Sequence, residues 1–267
     1  MALLVSSLIK GMQEVHTVAA KINALRNNQI GLELIAFTHD EAYWQNLQTI
    51  LPTLTCPVTF HGPYIKTEGT ASDGSQEQAF LVKSYKKTLA LAKHFKVRHV
   101  VYHMTQLNFS TSKEADTLRP QAEKNALTIM SLAKNAGVPL LIENLPCPYE
   151  RMPLYTNEQY FDFFARYPKT QSIIDVGHAH MTGLDLQAFL ATYGDRIKAY
   201  HFHNNYGKKD EHNDIFAGTF SYRVFAALFK QYTPHADIVL EYEPHVQLSW
   251  EELQDRFSFI LENYFSV

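Results

Sequence analysis

The sequence predicts an α/β protein with the architecture of a (β/α)8 barrel, formed by a single domain over residues 1–267. Three observations support this prediction. Eight short apolar segments alternate with eight segments whose apolar residues recur at helical spacing. Several of the apolar segments are continuous, as in parallel strands that are covered on both faces. No linker or low-complexity stretch interrupts the repeating units, and the length suits one large domain.

The predicted strands and helices follow one another in strict alternation. Strands are expected at residues 3–7, 31–37, 57–61, 97–103, 138–144, 172–176, 197–203 and 238–242. Helices are expected at residues 12–26, directly after Asp40 as an N-cap, and at 78–95, 114–136 (ended by Gly137), 157–166, 185–193, 221–231 and 250–264. A doubly wound sheet can be built from the same units. Eight units at this length favour a closed TIM barrel.

The composition restricts the classes of partner and location. The chain has 24 Lys and Arg against 27 Asp and Glu, a formal net charge of −3, so it has no overall attraction for polyanions. Cys56 and Cys147 form no C-x-x-C motif and are expected to be reduced thiols; a single disulfide between them is the alternative. The sequence shows neither a basic signal-peptide region nor an apolar run of ~18 residues. A soluble, cytoplasmic protein of undetermined oligomeric state is expected.

Ionisable residues cluster where six consecutive predicted strands end. In a (β/α)8 barrel these ends converge on one mouth, where the active site lies. The residues at the ends of strands three to eight are His61, His103, Glu143, Asp175, His201 and Glu241, and the following segments add His178, Asp210 and His212. Imidazole and carboxylate groups together are ligands for zinc, manganese or iron. Because burying so many ionisable groups without a cation is costly, the pattern predicts a divalent metal site.

Further polar residues near these strand ends are candidates for contact with a substrate. They are Tyr64, Asn144, His180, His203 and Lys208. His180 and His203 are equally candidates for orienting a metal ligand. A single histidine at a strand end is more often a hydrogen-bonded structural residue. The prediction of a site therefore depends on the same pattern recurring over six strands.

The same segments resemble the endonuclease IV / xylose isomerase-like superfamily of metal-dependent barrels, over nearly the whole chain. The resemblance is carried by F-H-G-P-Y (60–64), His103, I-E-N (142–144), D-V-G-H-A-H (175–180), H-F-H-N-N with D-E-H (201–212) and L-E-Y-E-P (240–244). It implies one to three divalent ions, zinc or manganese. The implied ligands are His61, His103, Glu143, Asp175, His178, His201, Asp210, His212 and Glu241.

The resemblance implies two reaction types. In the sugar isomerases and epimerases of the superfamily, a four-ligand core holds one ion, and its two glutamates are the acid–base pair. That core is matched here by Glu143, Asp175, His201 and Glu241, with Glu143 and Glu241 as the catalytic pair. In the endonuclease branch, three zinc ions cleave a phosphodiester at abasic sites in DNA. A lyase or dehydratase acting on a polyol is a third interpretation.

Two departures from the superfamily's patterns bear on this choice. The DNA-cleaving branch has basic and amide residues after strand two, whereas this chain has Asp40, Glu41 and Ala42, and carboxylates repel phosphate. The ketose-epimerase branch has an arginine after strand seven, which residues 204–209 lack. The sequence favours a sugar or sugar-phosphate isomerase/epimerase with a small carbohydrate substrate. The zinc-dependent phosphodiesterase stays as the alternative, because a one-metal isomerase does not need Asp210 and His212.

Overall fold

Eight parallel strands close into a barrel in the computed structural model, which describes residues 1–266. Val267, the last residue of the predicted 1–267 domain, lies outside the described residues. Strands β1 to β8 are Leu3–Ser6, Ile30–Ile35, Val58–His61, Val100–Tyr102, Leu140–Glu143, Gln171–Asp175, Ile197–Phe202 and Asp237–Leu240. Each strand pairs in parallel with its neighbours in sequence, and β1 pairs with β8. The predicted (β/α)8 barrel is confirmed.

The α-helices of residues 1–266 number nine, so the prediction of eight was wrong by one. They are α1 Val15–Ala24, α2 Glu41–Ile50, α3 Gln76–His94, α4 Ser112–Ala136, α5 Asn157–Arg166, α6 Val176–Thr182, α7 Leu186–Tyr193, α8 Tyr222–Tyr232 and α9 Trp250–Ile260. The additional helix is α6, which begins directly where β6 ends. The Asp175 carboxylate accepts a hydrogen bond from the His178 amide and so caps α6. None of the described helices is both long and apolar enough to cross a lipid bilayer.

Two predicted helix boundaries are confirmed by their cap geometry. The Asp40 side chain accepts a hydrogen bond from the Tyr43 amide at 3.0 Å and caps α2. Gly137 ends α4 in the left-handed conformation, with φ of 72°. That conformation suits glycine because it has no Cβ to clash with the backbone.

The interior of the barrel changes from apolar to ionisable along the strands. An inner apolar layer is formed by Ala2, Leu4, Val101, Leu141, Ile173, Ala199 and Val239. Side chains two residues apart on a strand point to the same face. The next inward position after five members of that layer is therefore ionisable: His103, Glu143, Asp175, His201 and Glu241. The alternation of side chains along the strands thus places a ring of ionisable groups directly above the inner apolar layer.

Gly62, which follows the last residue of β3, lies where β3 and β4 approach each other closely. A Cβ at Gly62 would lie 2.0 Å from the Val101 carbonyl oxygen and 2.5 Å from the Tyr85 hydroxyl. Since a backbone oxygen cannot move aside, only glycine fits beside it. The glycine of the F-H-G-P-Y segment is therefore required by packing directly next to His61.

We expect Gly62→Ala to lower the free energy of unfolding by about 2–3 kcal/mol, the upper range for overpacking. Urea denaturation of the variant and of the wild type measures this difference. Gly194→Ala is the comparison variant: its Cβ would have its nearest atom, the Tyr232 carbonyl oxygen, at 3.0 Å instead of 2.0 Å, so its cost should be smaller. Equal denaturation midpoints for Gly62→Ala and the wild type would contradict the prediction, since they would show that β3 and β4 can move apart to accept the extra methyl group.

Candidate metal centre

Three groups of donor side chains lie together at the carboxyl ends of the strands. Within each group, one donor atom per residue lies within 4.8 Å of the others. The groups are Glu143, Asp175, His201 and Glu241 (group A), His61, His103 and Glu143 (group B), and His178, His203, Asp210 and His212 (group C). All nine ligands implied by the sequence are found in these groups, together with His203.

Group A is arranged around the Nδ1 atom of His201. This atom lies 2.9 Å from Oε1 of Glu143, 3.3 Å from Oε2 of Glu241 and 3.9 Å from Oδ2 of Asp175. All four side chains are buried. One imidazole nitrogen and three carboxylates therefore converge on one point inside the barrel mouth.

Glu143 joins group A to group B through its two oxygens. Its Oε1 faces His201, whereas its Oε2 lies 2.6 Å from Nε2 of His103 and 3.7 Å from Nε2 of His61. A carboxylate with a separate set of nitrogens at each oxygen has the arrangement needed to bridge two cations.

Group C is arranged around Asp210, which lies in the loop after β7. Oδ2 of Asp210 lies 3.0 Å from Nε2 of His178 and 3.1 Å from Nε2 of His212. The ring of His203 stacks on that of His212 with centroids 4.1 Å apart. Its Nε2 lies 3.0 Å from Oδ2 of Asp175 and 3.7 Å from Oδ1 of Asp210. His203 thus connects group C to group A through its contact with Asp175.

The hydrogen bonds around these groups fit a divalent metal ion. A metal-binding histidine normally donates its other ring N–H to a carbonyl or carboxylate oxygen. The Nδ1–H groups of His61, His178 and His212 donate to the carbonyl oxygens of Gly62, Asn144 and Glu241, at 2.9, 2.8 and 3.0 Å. Nε2 is therefore the ring nitrogen that each of these histidines has left to bind a metal ion. Oδ1 of Asp210 is buried without a hydrogen-bond partner. This nitrogen and oxygen donor set suits zinc or manganese.

The charges of the site shift the pKa values of its members strongly. Burial lowers the pKa of His178, but the Asp175 and Asp210 carboxylates outweigh burial and raise it well above its usual value. Burial is outweighed in the same way at His212, where Asp210 and Glu241 raise the pKa to about 10. Burial raises the pKa of Glu143, but His103 and His201 hold it well below its usual range. Without a metal ion, the carboxylates thus keep His178 and His212 protonated.

We therefore expect metal binding to release protons. A metal ion needs the lone pair of a neutral imidazole, whereas His212, with a pKa of about 10, is protonated at neutral pH. The metal affinity should rise with pH until that pKa is passed. Isothermal titration calorimetry with zinc in buffers of different ionisation enthalpy should give a release of about one to three protons per chain. The exposed-residue variant Glu251→Gln is the control. A binding enthalpy that does not depend on the buffer would contradict the expectation.

A cavity of about 180 Å³ is lined by members of groups A, B and C. Its wall includes the predicted ligands His61, His103, Glu143, His178, His212 and Glu241, and also Tyr64. Apolar side chains, among them Leu8, Leu107 and Leu145, form another part of the wall. The cavity is therefore a small chamber with donor groups at its base and mixed polar and apolar sides.

The structure separates the five residues that the sequence indicated for substrate contact. Tyr64 lines the cavity, whereas Asn144 exchanges two hydrogen bonds with the Asp175 backbone, at 2.8 and 2.9 Å, and so joins β5 to β6. His180 contacts the Thr219 hydroxyl at 2.8 Å. Lys208 lies over the exposed Tyr149 ring. Neither His180 nor Lys208 lines the cavity. His203 contacts Asp175, as described above. Direct substrate contact by these residues stays a prediction.

Sequence reasoning missed two features of the site. Glu33 on β2 is fully buried and contacts Nε2 of His201 at 2.9 Å. Its signal was present, because it is a lone carboxylate in the otherwise apolar strand I-G-L-E-L-I. The polar side chains of Thr105, Gln106 and Asn108 line the cavity from the loop after β4. No motif marks that loop, so its position is visible only in the folded chain.

The barrel and its mouth define the chain as a (β/α)8 barrel protein with a candidate metal centre. Residues 23–260 match the family described as xylose isomerase-like TIM barrel, and the chain belongs to this family. The predicted superfamily relationship is thereby confirmed. No curated protein sequence matches the chain significantly.

Solved structures with the same fold include two described as epimerases or epimerase-like. A "D-tagatose 3-epimerase-like protein" is 18% identical and superposes with a TM-score of 0.76, with 100% of each chain covered. A D-psicose 3-epimerase determined in the presence of D-fructose is 13% identical, with a TM-score of 0.78 and 100% of each chain covered. The IOLI protein, "with a binding zinc atom", is 14% identical, with a TM-score of 0.76 and 100% of each chain covered. At these identities the likeness establishes the fold.

Proposed function

We propose that this protein is a metal-dependent isomerase or epimerase of a small sugar, acting by proton transfer next to a carbonyl group. The observation that carries the proposal is the pair Glu143 and Glu241. Both carboxylates line the cavity, and both lie within 3.3 Å of Nδ1 of His201. Two carboxylates beside one cation site can serve as the acid and the base of a proton transfer. The epimerase descriptions of proteins with the same fold support the same class of reaction.

The roles of the group A residues follow from their contacts. Glu143, Asp175, His201 and Glu241 would hold a zinc or manganese ion, whose positive charge would stabilise negative charge that develops on a substrate oxygen. Both oxygens of Glu143 have close imidazole neighbours, with Oε1 2.9 Å from Nδ1 of His201 and Oε2 2.6 Å from Nε2 of His103. Glu241 has only longer side-chain contacts, at 3.3 Å to His201 and 3.6 Å to His212. We therefore assign proton removal to Glu241 and proton return to Glu143.

The wall of the cavity favours an uncharged sugar over a sugar phosphate. Among the described residues that line the cavity, none is lysine or arginine. Glu243 adds a further carboxylate at the rim, with its side chain 51% exposed. A phosphate monoester would thus meet negative charge without a basic side chain to pair with it. Thr105, Gln106 and Asn108 offer hydrogen-bonding groups of the kind that hydroxyls need.

Deuterium incorporation tests the proposal directly. The metal-loaded protein is incubated with a panel of ketoses and aldoses in D2O, and carbon-bound deuterium is measured by NMR. At least one sugar is expected to exchange a proton next to its carbonyl group, and Glu241→Gln should slow this exchange strongly. The absence of exchange from every sugar, with the metal present, would overturn the proposal.

A second candidate is a zinc-dependent phosphodiesterase acting at abasic sites in DNA, and group C favours it. His178, Asp210 and His212 lie outside the four-residue group A, and the unpartnered Oδ1 of Asp210 indicates a further cation. Asp40 and Glu41 argue against it, although the Asp40 carboxylate caps α2 and Glu41 pairs with Lys87 at 2.9 Å. Elemental analysis combined with an abasic oligonucleotide cleavage assay separates the candidates. About three zinc ions with strand cleavage would support the phosphodiesterase.

A further inference from the structure

Glu33 is a buried carboxylate beneath the proposed metal site, on a strand that contributes no donor to groups A, B or C. Its side chain is 0% exposed. Its Oε1 lies 2.9 Å from Nε2 of His201, and its Oε2 accepts a hydrogen bond from the Thr59 hydroxyl at 3.1 Å. The carboxylate thus has one partner on β7, across the barrel, and one on the adjacent strand β3.

A buried ion pair of this kind is a poor means of stabilising a fold. Removing a carboxylate from water costs several kcal/mol, and an apolar residue of similar size often stabilises the folded state as well or better. The sequence neighbours of Glu33 on β2, Leu32 and Leu34, are apolar and fully buried. A carboxylate at this position therefore calls for a role other than packing.

That role is indicated by the orientation of His201. His61, His178 and His212 turn Nε2 towards the carboxylates of the site and donate Nδ1–H to a backbone carbonyl. His201 is turned the opposite way, with Nδ1 facing Glu143, Asp175 and Glu241. Its Nε2 points down into the barrel, where Glu33 is the hydrogen-bond acceptor that it meets.

We propose that Glu33 is a positioning residue that holds His201 with its proton on Nε2, so that Nδ1 presents its lone pair to the metal ion of group A. A carboxylate that accepts the second N–H of a metal-binding imidazole fixes the tautomer and the ring orientation, and makes the ligand more basic. The inference rests on the metal site of the proposed function. It does not depend on which substrate that site takes.

The test compares three variants of the full chain. Glu33→Leu removes the acceptor, Glu33→Gln keeps an acceptor oxygen but removes the charge, and Thr59→Val removes only the hydroxyl on the other carboxylate oxygen. Zinc affinity is measured by competition with a chelating dye. The state of the His201 ring in the zinc-loaded protein is read from long-range 1H–15N NMR correlations.

Glu33→Leu is expected to weaken zinc binding by about 10–100-fold and to shift the His201 ring nitrogens, as for the loss of an outer hydrogen-bond partner. Glu33→Gln should restore most of the affinity and keep the Nε2–H tautomer, whereas Thr59→Val should match the wild type. Unchanged zinc affinity and unchanged His201 signals in Glu33→Leu would overturn the positioning role alone. If Glu33→Leu does not fold, the unbranched Glu33→Met takes its place as the variant without an acceptor, and the same two unchanged readouts would overturn the role. A wild type that binds no metal would overturn both this role and the proposed function.

Discussion

Glu241→Gln is expected to lower the turnover of a sugar substrate by about 10²–10⁴-fold, the range for the loss of a catalytic acid or base. Glutamine keeps the size of the side chain but cannot accept a proton from carbon. Glu241 lines the cavity, and its carboxylate lies farther from the neighbouring imidazole of His201 than that of Glu143 does. The loss should therefore appear in kcat and in deuterium exchange. Steady-state kinetics on the sugar identified in D2O, at saturating metal, measure it.

The metal content of Glu241→Gln shows whether the variant loses activity through its chemistry or through loss of the metal ion. Glu143, Asp175 and His201 remain in group A, so elemental analysis should still find an ion there. Glu251→Gln, an exposed change of the same kind in the first turn of α9, is expected to behave as the wild type. If Glu241→Gln retained full exchange with bound metal, Glu241 would not be the base, and the assignment would pass to Glu143.

Asp237→Ala is expected to lower the free energy of unfolding by about 2–4 kcal/mol. Asp237 begins β8 at the end of the barrel opposite the cavity, and its buried carboxylate accepts the Ala2 amide at 2.6 Å. It also accepts two hydrogen bonds from Arg98, at 2.8 and 2.9 Å. Breaking a fully buried pair costs about 3–5 kcal/mol. The expected cost is smaller because the Arg98 side chain is 42% exposed and can turn to water.

Two further variants test whether this cost comes from the buried carboxylate. Arg98→Ala should be less destabilising than Asp237→Ala, because Asp237 would keep its bond to the Ala2 amide. Asp162→Ala removes an exposed partner of Arg166 and should change stability by less than about 0.5 kcal/mol. Urea denaturation measures all three, and zinc content should stay at the wild-type value throughout. An Asp237→Ala protein as stable as Asp162→Ala would show that the barrel closes without this contact.

The fold was predictable because the sequence pattern of the βα unit is repeated along the chain. Each βα unit carries its own apolar strand and amphipathic helix, so an error of a few residues at one boundary leaves the count unchanged. The missed helix, α6, has seven residues and starts directly after the last residue of β6, without a loop. A segment so short shows no helical periodicity of its own. Its start depends on the Asp175 side chain, which also belongs to group A.

The candidate ligands were predictable for a related reason. In a parallel barrel all strands end on the same side, so residues far apart in sequence, such as His61 and Glu241, can be placed at one mouth from strand ends alone. The partition into groups was not predictable. It depends on which oxygen of Glu143 faces which imidazole, and on the stacking of His203 against His212. These are side-chain distances across the barrel, and sequence spacing does not encode them.

The sequence by itself determined the barrel, the mouth at which its polar groups gather, and the identity of the nine candidate ligands. It could do so because strand alternation and the common direction of parallel strands are local or repeated properties. Only the tertiary structure decided that Glu33 lies beneath His201, that Asn144 joins two strands, and that no lysine or arginine among the described residues lines the cavity. Each of these depends on contacts between chain segments that fold together from distant positions. The charge and shape presented to a substrate arise from those contacts.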